Sequence, residues 1–180
     1  MELKDTLTRN YIIEAFYNLL IKKPFNNISV SDICAKAGVS RMSFYRNFKS
    51  KEDLAEKSLE LVMKNFKERL NQNPQINQYI VTKEIFSTVE KYKDAFNSFK
   101  NTEFIKNFID TFAHRIFEKA PEDMIDKTKK YSSVFYFSAL TGVLTYWINH
   151  GAKESPEEMA KGICNIADFP FFSDCSFNKI

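Results

Sequence analysis

Between Lys36 and Lys51 the sequence places five basic residues, Lys36, Arg41, Arg46, Lys49 and Lys51, and no acidic one. Ser40, Ser43, Tyr45 and Asn47 are set among them, so the stretch offers cations for phosphate oxygens and small polar groups for base edges. Phe44 and Phe48, four residues apart, share one face of a short helix, which leaves Arg41, Met42, Ser43, Tyr45, Arg46 and Asn47 on the other. Catalytic chemistry is poorly supplied by comparison. The chain has two histidines, His114 in a Phe-rich stretch and His150 just before Gly151. Neither has a Ser, Cys or carboxylate spaced as a nucleophile–base pair. No phosphate-cradling glycine loop, metal-ligand spacing or paired-acid signature is present, so the sequence reads as no enzyme and as needing no cofactor.

The elements that must carry this stretch have clear start and stop signals. Ser29 is placed to cap a helix, with Asp32 three residues on to reach back, and Ile33, Ala37 and Val39 give that unit an apolar inner side. Gly38 falls where the chain reverses and positive φ is needed. Ser40 caps the next helix, and Ser50, with Asp53, starts a third. Two short helices joined by a tight turn form a helix-turn-helix, in which the second helix enters the DNA major groove. The same spacing also occurs as plain packing in all-α domains, and both readings stand on spacing alone.

The run Ala37-Gly-Val-Ser-Arg-Met-Ser-Phe-Tyr-Arg-Asn-Phe-Lys-Ser-Lys-Glu-Asp-Leu54 resembles the DNA-binding signature of the TetR family of bacterial transcriptional regulators. Thr8-Arg9 with Ile12, Ala15 and Phe16 resembles that family's first helix, and the likeness covers about residues 5–62. Met42-Ser43 stands where members often carry Gly-Thr, Asn47 where Tyr or His commonly meets a phosphate, and Ser31 where Arg is frequent. These departures bear on which operator is read, not on the fold. The segment 138–160 is similar to the C-terminal part of one subgroup. The resemblance implies a homodimer on a palindromic, double-stranded operator, mostly in the service of repression. It also implies pairing of the last two long helices of each copy, and a C-terminal effector that moves the fourth helix to release DNA. Within that frame Arg41, Ser43 and Tyr45 are assigned to base edges with Met42 beside them, and Ser31 to reading from the preceding helix. Ser29, Asn47, Lys49 and Lys51 are assigned to phosphates, and Arg46 to either.

Composition is consistent with such a protein. The net charge is only +3, but residues 1–69 hold 13 Lys/Arg and 9 Asp/Glu against 13 and 14 in the remainder. The basic excess therefore accompanies the helix-turn-helix. Few Gly and Pro residues favour long helices over many turns. The N-terminus lacks a leader pattern and no run is apolar enough to span a membrane, so a cytoplasmic location is expected. Cys34, Cys164 and Cys175 make neither a metal spacing nor an even disulfide set.

An all-α fold follows: a DNA-binding domain over residues 1–50, a connecting helix over 51–72, and a ligand-binding and dimerisation domain over 73–180. An amphipathic helix over 4–22 braces the first part, ended by Pro24. Helices are expected over 79–90, about 91–99, 102–120 and 128–150, and from Ser155-Pro-Glu-Glu158, a strong start signal. Residues 131–148 are apolar round most of a helix and need cover on several sides, one of them a second copy. Leu140, Leu144, Trp147, Met159, Ile163 and Ile166 are the expected dimer contacts. Phe86, Tyr92, Phe96, Phe108, Phe112, Tyr136 and Tyr146 are candidates to line a cavity for a small apolar or aromatic effector, against the plain alternative that they are core. A protein partner acting on the C-terminal face is the rival switch.

Overall fold

The computed structural model of the chain describes residues 2–73, 75–99 and 127–166. Among these residues there are helices and short turns and no strand, an all-α architecture. The helices are α1 (Glu2–Leu20), α2 (Val30–Ala37), α3 (Arg41–Asn47), α4 (Lys51–Asn71), α5 (Gln78–Lys91), α6 (Lys93–Ser98), α7 (Lys127–Asn149) and α8 (Pro156–Ile166). The helix expected over 102–120, with Phe108, Phe112 and His114, lies outside the described residues, as does Cys175. No helix among the described residues is long and apolar enough to cross a membrane. Nor does any group of His, Cys, Asp and Glu among them gather as a metal site.

The chain separates into two compact units, one holding residues 2–64 and 94–99, the other 65–93 and 127–166. In the first, α1 buries Ile12, Ile13, Ala15, Phe16 and Leu20 against α2 and α3. These short helices cannot cover their own apolar faces, so α1 supplies the missing wall. The first part of α4 adds Leu54, Ala55, Leu59 and Val62. Between α1 and the 3-10 turn Phe25–Asn27, Pro24 stops helical propagation. Ser29 and Asp32 form a reciprocal cap on α2: the Asp32 N–H donates to Ser29 Oγ at 3.1 Å, and the Ser29 N–H to Asp32 Oδ2 at 2.8 Å. Lys23 Nζ, at 2.9 Å, then joins the same carboxylate oxygen. This lysine first, and the Ser29 N–H and hydroxyl after it, hold the Asp32 carboxyl well below the usual carboxylate range. Gly38 ends α2 at φ +67°, the left-handed conformation its position demands.

The second unit is built on α5, α7 and α8 with the end of α4. Asn77 caps α5 by accepting the Ile80 N–H at 3.0 Å. Phe66 and Leu70 of α4 are buried, and Arg69 beside them pairs with Glu84 and donates to the Thr88 hydroxyl at 2.7 Å. Trp147 is the largest buried side chain; its ring meets Phe86 edge-on at 5.1 Å and its Nε1–H donates to the Glu154 carbonyl at 3.1 Å. Tyr136 is equally enclosed, its hydroxyl 2.6 Å from that of Thr82, and burial pushes its pKa up to about 12. Ser155 and Glu158 form a second reciprocal cap, on α8, whose Ala160 is fully buried. Lys83 of α5 reaches Glu157 of α8 at 2.7 Å.

Truncating Trp147 to Ala removes a buried ring and its hydrogen bond together, a loss of about 3–5 kcal/mol on the scale of core aromatics. Denaturant unfolding of the variant should read it; an unchanged midpoint would mean that the ring is not packed as described. Asp32→Asn tests the α2 cap through pH. A depressed carboxyl adds stability above its unfolded value of about 3.9 and loses it as pH falls towards the folded one. The stability difference between parent and variant should therefore be constant above about pH 5 and narrow below it. A difference that instead grows on acidification would remove Asp32 from the cap.

Candidate nucleic-acid interface

The orientation of α3 is fixed by two rings. Phe44 and Phe48 are fully buried, 5.8 Å apart, against the core of the first unit. The Arg9 guanidinium and the Lys57 ammonium each lie 5.5 Å from the Phe48 ring centre, so Arg9 is placed over an aromatic face. Ser40 starts the helix by accepting the Ser43 N–H at 3.1 Å, and its hydroxyl also meets that of Ser43 at 3.0 Å. With the rings turned inward, Arg41, Met42, Tyr45 and Arg46 are exposed on one side of this seven-residue helix. Ser43 and Asn47 are half-buried at its edge.

Arg41 and Tyr45 lie one helical turn apart, and the tyrosine side chain pushes the guanidinium pKa up. The two place a cation and a phenol on one face of the helix. Tyr45 also lies edge-on to Phe44 at 5.4 Å, which ties its ring to the core pair. Asn47 spends one amide N–H on the Ser43 carbonyl at 2.8 Å. Ser31 is exposed in the first turn of α2, while the exposed Ser29 has its hydroxyl committed to Asp32 at 2.8 Å. Lys36 and Lys49 are exposed, flanking the helix pair in sequence.

Two nearby carboxylates, Asp32 and Asp53, are paired with cations. Asp32 is taken by Lys23, as described. Asp53 accepts the Lys49 N–H at 2.7 Å and the Lys57 ammonium at 3.0 Å. Burial alone would raise the Asp53 pKa, but these two partners outweigh it and hold the carboxyl below its usual range. The expected Ser50 cap on α4 forms, and only its return contact is shifted by one residue. Ser50 Oγ accepts the Asp53 N–H at 3.1 Å, whereas the Asp53 carboxylate reaches back to Lys49 and not to Ser50.

Lys51, expected at a phosphate, is engaged within the fold. Its ammonium donates to the carbonyls of Phe25, Asn26 and Ile28 at 3.2, 3.4 and 3.0 Å and lies 4.6 Å from the Phe25 ring centre. An ammonium has three protons, and three carbonyls of one turn are their acceptors. Lys51 therefore fastens the 3-10 turn ahead of α2. Sequence spacing missed this, together with Lys23, because both act on residues brought near only by folding. The one available signal was Pro24-Phe25 immediately upstream of the Ser29 cap.

The candidate effector-lining residues are not gathered as expected. Phe86 and Tyr136 sit in the second unit, consumed by Trp147 and Thr82 as core partners. Tyr92 is half-buried at the C-terminal cap of α5, with the Lys91 ammonium 5.3 Å from its ring centre. Phe96 is half-buried but belongs to the first unit. Phe108 and Phe112 lie outside the described residues. Tyr146 is 66% exposed and stacks on His150 at 3.9 Å, on the outer side of α7 rather than in any interior.

The expected dimer set also divides. Leu140 and Trp147 are buried within the subunit, Trp147 at 2% exposure, and have no surface left for a partner. Leu144, Met159 and Ile163 are half-buried, and Ile166 is 85% exposed. The outward side of α7 instead carries Tyr131, Val134, Phe135, Ser138, Ala139, Gly142, Val143 and Tyr146, all exposed. Their three- and four-residue spacing makes one continuous stripe. The sequence could not separate the two sides because both are apolar.

Comparisons with known proteins agree with this architecture. Residues 12–57 match a family model described as bacterial regulatory proteins, tetR family. Residues 75–169, more than half of the chain, match one described as transcriptional regulator C-terminal region. No curated protein matches the chain. Among solved structures, a TetR transcriptional regulator from Streptococcus agalactiae 2603V is similar at 22% identity and a TM-score of 0.65, over 93% of this chain and 97% of that one. NalD, the secondary repressor of the MexAB-OprM multidrug efflux pump in Pseudomonas aeruginosa, is similar at 20% identity and a TM-score of 0.66, over 92% and 95%. DhaS, a dihydroxyacetone kinase operon activator, is similar at 22% identity and a TM-score of 0.65, over 88% and 93%. At such identities the structural likeness is one of fold, and the family rests on the two sequence matches. Those matches place the helix-turn-helix and the helical C-terminal region in one lineage, and the chain belongs to the TetR family of bacterial regulatory proteins.

Proposed function

We propose that the chain is a transcriptional repressor that binds a palindromic operator as a homodimer and lets go when a small apolar effector occupies its C-terminal region. The observation that carries the DNA-binding part is the face of α3. Arg41, Met42, Tyr45 and Arg46 are exposed together because Phe44 and Phe48 are not. Arg41, with Tyr45 one turn on, is the group suited to the two acceptors of a guanine edge, with Met42 and Ser43 beside it for apolar and hydroxyl contact. Arg46, Lys49 and Asn47 are assigned to positioning on the phosphates, Ser31 to reading from α2, and Lys51 to holding the turn. The exposed stripe on α7, with Ile166 of α8, supports self-association, since its small residues Ser138, Ala139 and Gly142 admit a second helix closely. Repression is the direction named for NalD, whereas DhaS is named an activator.

Selection of bound duplexes from a random pool tests the whole reading at once. A twofold-symmetric site is expected, with half-sites spaced about 34–36 Å or a multiple of it. Recovery of unrelated sequences would end the proposal. On the selected site, Arg41→Ala should cost about 1–3 kcal/mol at one base position and little on sequences already altered there. Equal loss on every sequence would move Arg41 to the backbone contacts. Lys49→Ala should flatten the dependence of log affinity on log salt by about one unit, while Lys51→Met should leave that slope alone and lower folding stability by about 2 kcal/mol. The reverse pattern would return Lys51 to the phosphates. For self-association, Phe135→Glu should convert a dimer to a monomer in solution mass measurements, and a parent that is already monomeric would refute the assembly.

A further inference from the structure

Most of the first unit comes from residues 2–64, but one segment of it does not. Residues 94–99 lie in the same unit, and the chain enters them directly from α5 through Tyr92 and Lys93. Phe99 is 4% exposed there. Its ring is 4.8 Å from that of Phe25 and 6.4 Å from that of Phe16, and Phe16 and Phe25 are 6.1 Å apart, closing a triangle of aromatic contacts. The Ser98 hydroxyl donates to the carbonyl of Leu20, the last residue of α1, and Ala95 is buried with it. Phe25 thus receives a ring from residue 99 and the ammonium of Lys51, while Lys51 also grips the carbonyls around it. Directly after Ile28 comes Ser29, the cap of α2.

We propose that Phe99 is a positioning residue for the DNA-reading helices. Seated on Phe25, it holds the 25–28 turn and with it the start of α2. The proposal rests on the reading of the chain as a DNA-binding protein. Its physical basis is that a close-packed aromatic cluster adopts discrete arrangements and does not deform smoothly. Phe99 touches no base or phosphate in this scheme. Its effect passes through Phe25 and Phe16.

The test uses the full chain, with Phe99→Ala, the conservative Phe99→Leu, and Ser98→Ala. Affinity for the selected operator, its salt dependence, and amide hydrogen exchange over 25–34 and 127–166 are measured for each. Phe99→Ala is expected to lower operator affinity about 5- to 150-fold, the range of a typical coupling between sites, with the salt slope unchanged. Exchange should quicken over 25–34 while 127–166 keeps its protection, and Phe99→Leu should restore most of both. If Phe99→Ala does not fold, Ser98→Ala, which leaves the rings in place, is expected to move the same readouts in the same direction by less. Unchanged operator affinity overturns the proposal, as does exchange that quickens equally over 127–166, the mark of a general stabiliser. A parent chain that selects no DNA sequence defeats the regulator reading, and the exchange comparison over 25–34 then still decides whether Phe99 holds the turn.

Discussion

The burial of Phe44, within the seven-residue α3, and of Phe48, the residue that ends it, is the constraint from which the rest of the first unit follows. A helix this short has little stability of its own and is held by what its apolar side touches. Everything around it serves that contact. The long α1 forms the wall, the start of α4 closes the other end, and Gly38 allows α2 to turn back without strain. Because the two rings fix the rotation of α3 about its axis, they also decide which side chains stand in solvent. The polar groups are selected by the position of the apolar ones.

Much of this was legible in the sequence because it is local. The Ser29–Asp32 and Ser155–Glu158 caps, the Gly38 reversal and the Phe44–Phe48 spacing each depend on residues within four positions of one another, where helix geometry alone sets the outcome. The sorting of buried from exposed sides on α7 was not legible. Its apolar residues run round the helix, and only the actual neighbours decide that Leu140 and Trp147 turn inward while Phe135 and Tyr146 turn outward. Lys51 is a related case. A lysine at the start of a helix beside a basic stretch reads as a phosphate ligand until three carbonyls from residues 25–28 are found around it. Tyr146 was assigned to an interior because aromatic residues are usually buried, and its stacking on His150 at a helix end is a surface arrangement that spacing does not reveal.

The two units are held by different kinds of contact. The first is an aromatic and aliphatic core with its charges kept at the rim, where Lys23, Lys51 and Lys57 each neutralise or cap something specific. The second contains the buried pair of Thr82 with Tyr136, the part-buried contacts of Arg69 with Glu84 and Thr88, and the Trp147 hydrogen bond. Such pairs are directional, so they favour one packing over near alternatives more strongly than apolar contacts do. The α4 helix, 21 residues and roughly 30 Å long, contributes its first part to one core and its last part to the other.

The exposed side of α3 has a further meaning for how such a protein changes over generations. Arg41 and Met42 stand outside the core, so replacing them alters the surface at almost no cost to folding. Tyr45 is tied slightly more closely through its contact with Phe44. A lineage carrying this scaffold is therefore free to vary the outward side chains of α3, while the inward residues keep the helix in place throughout.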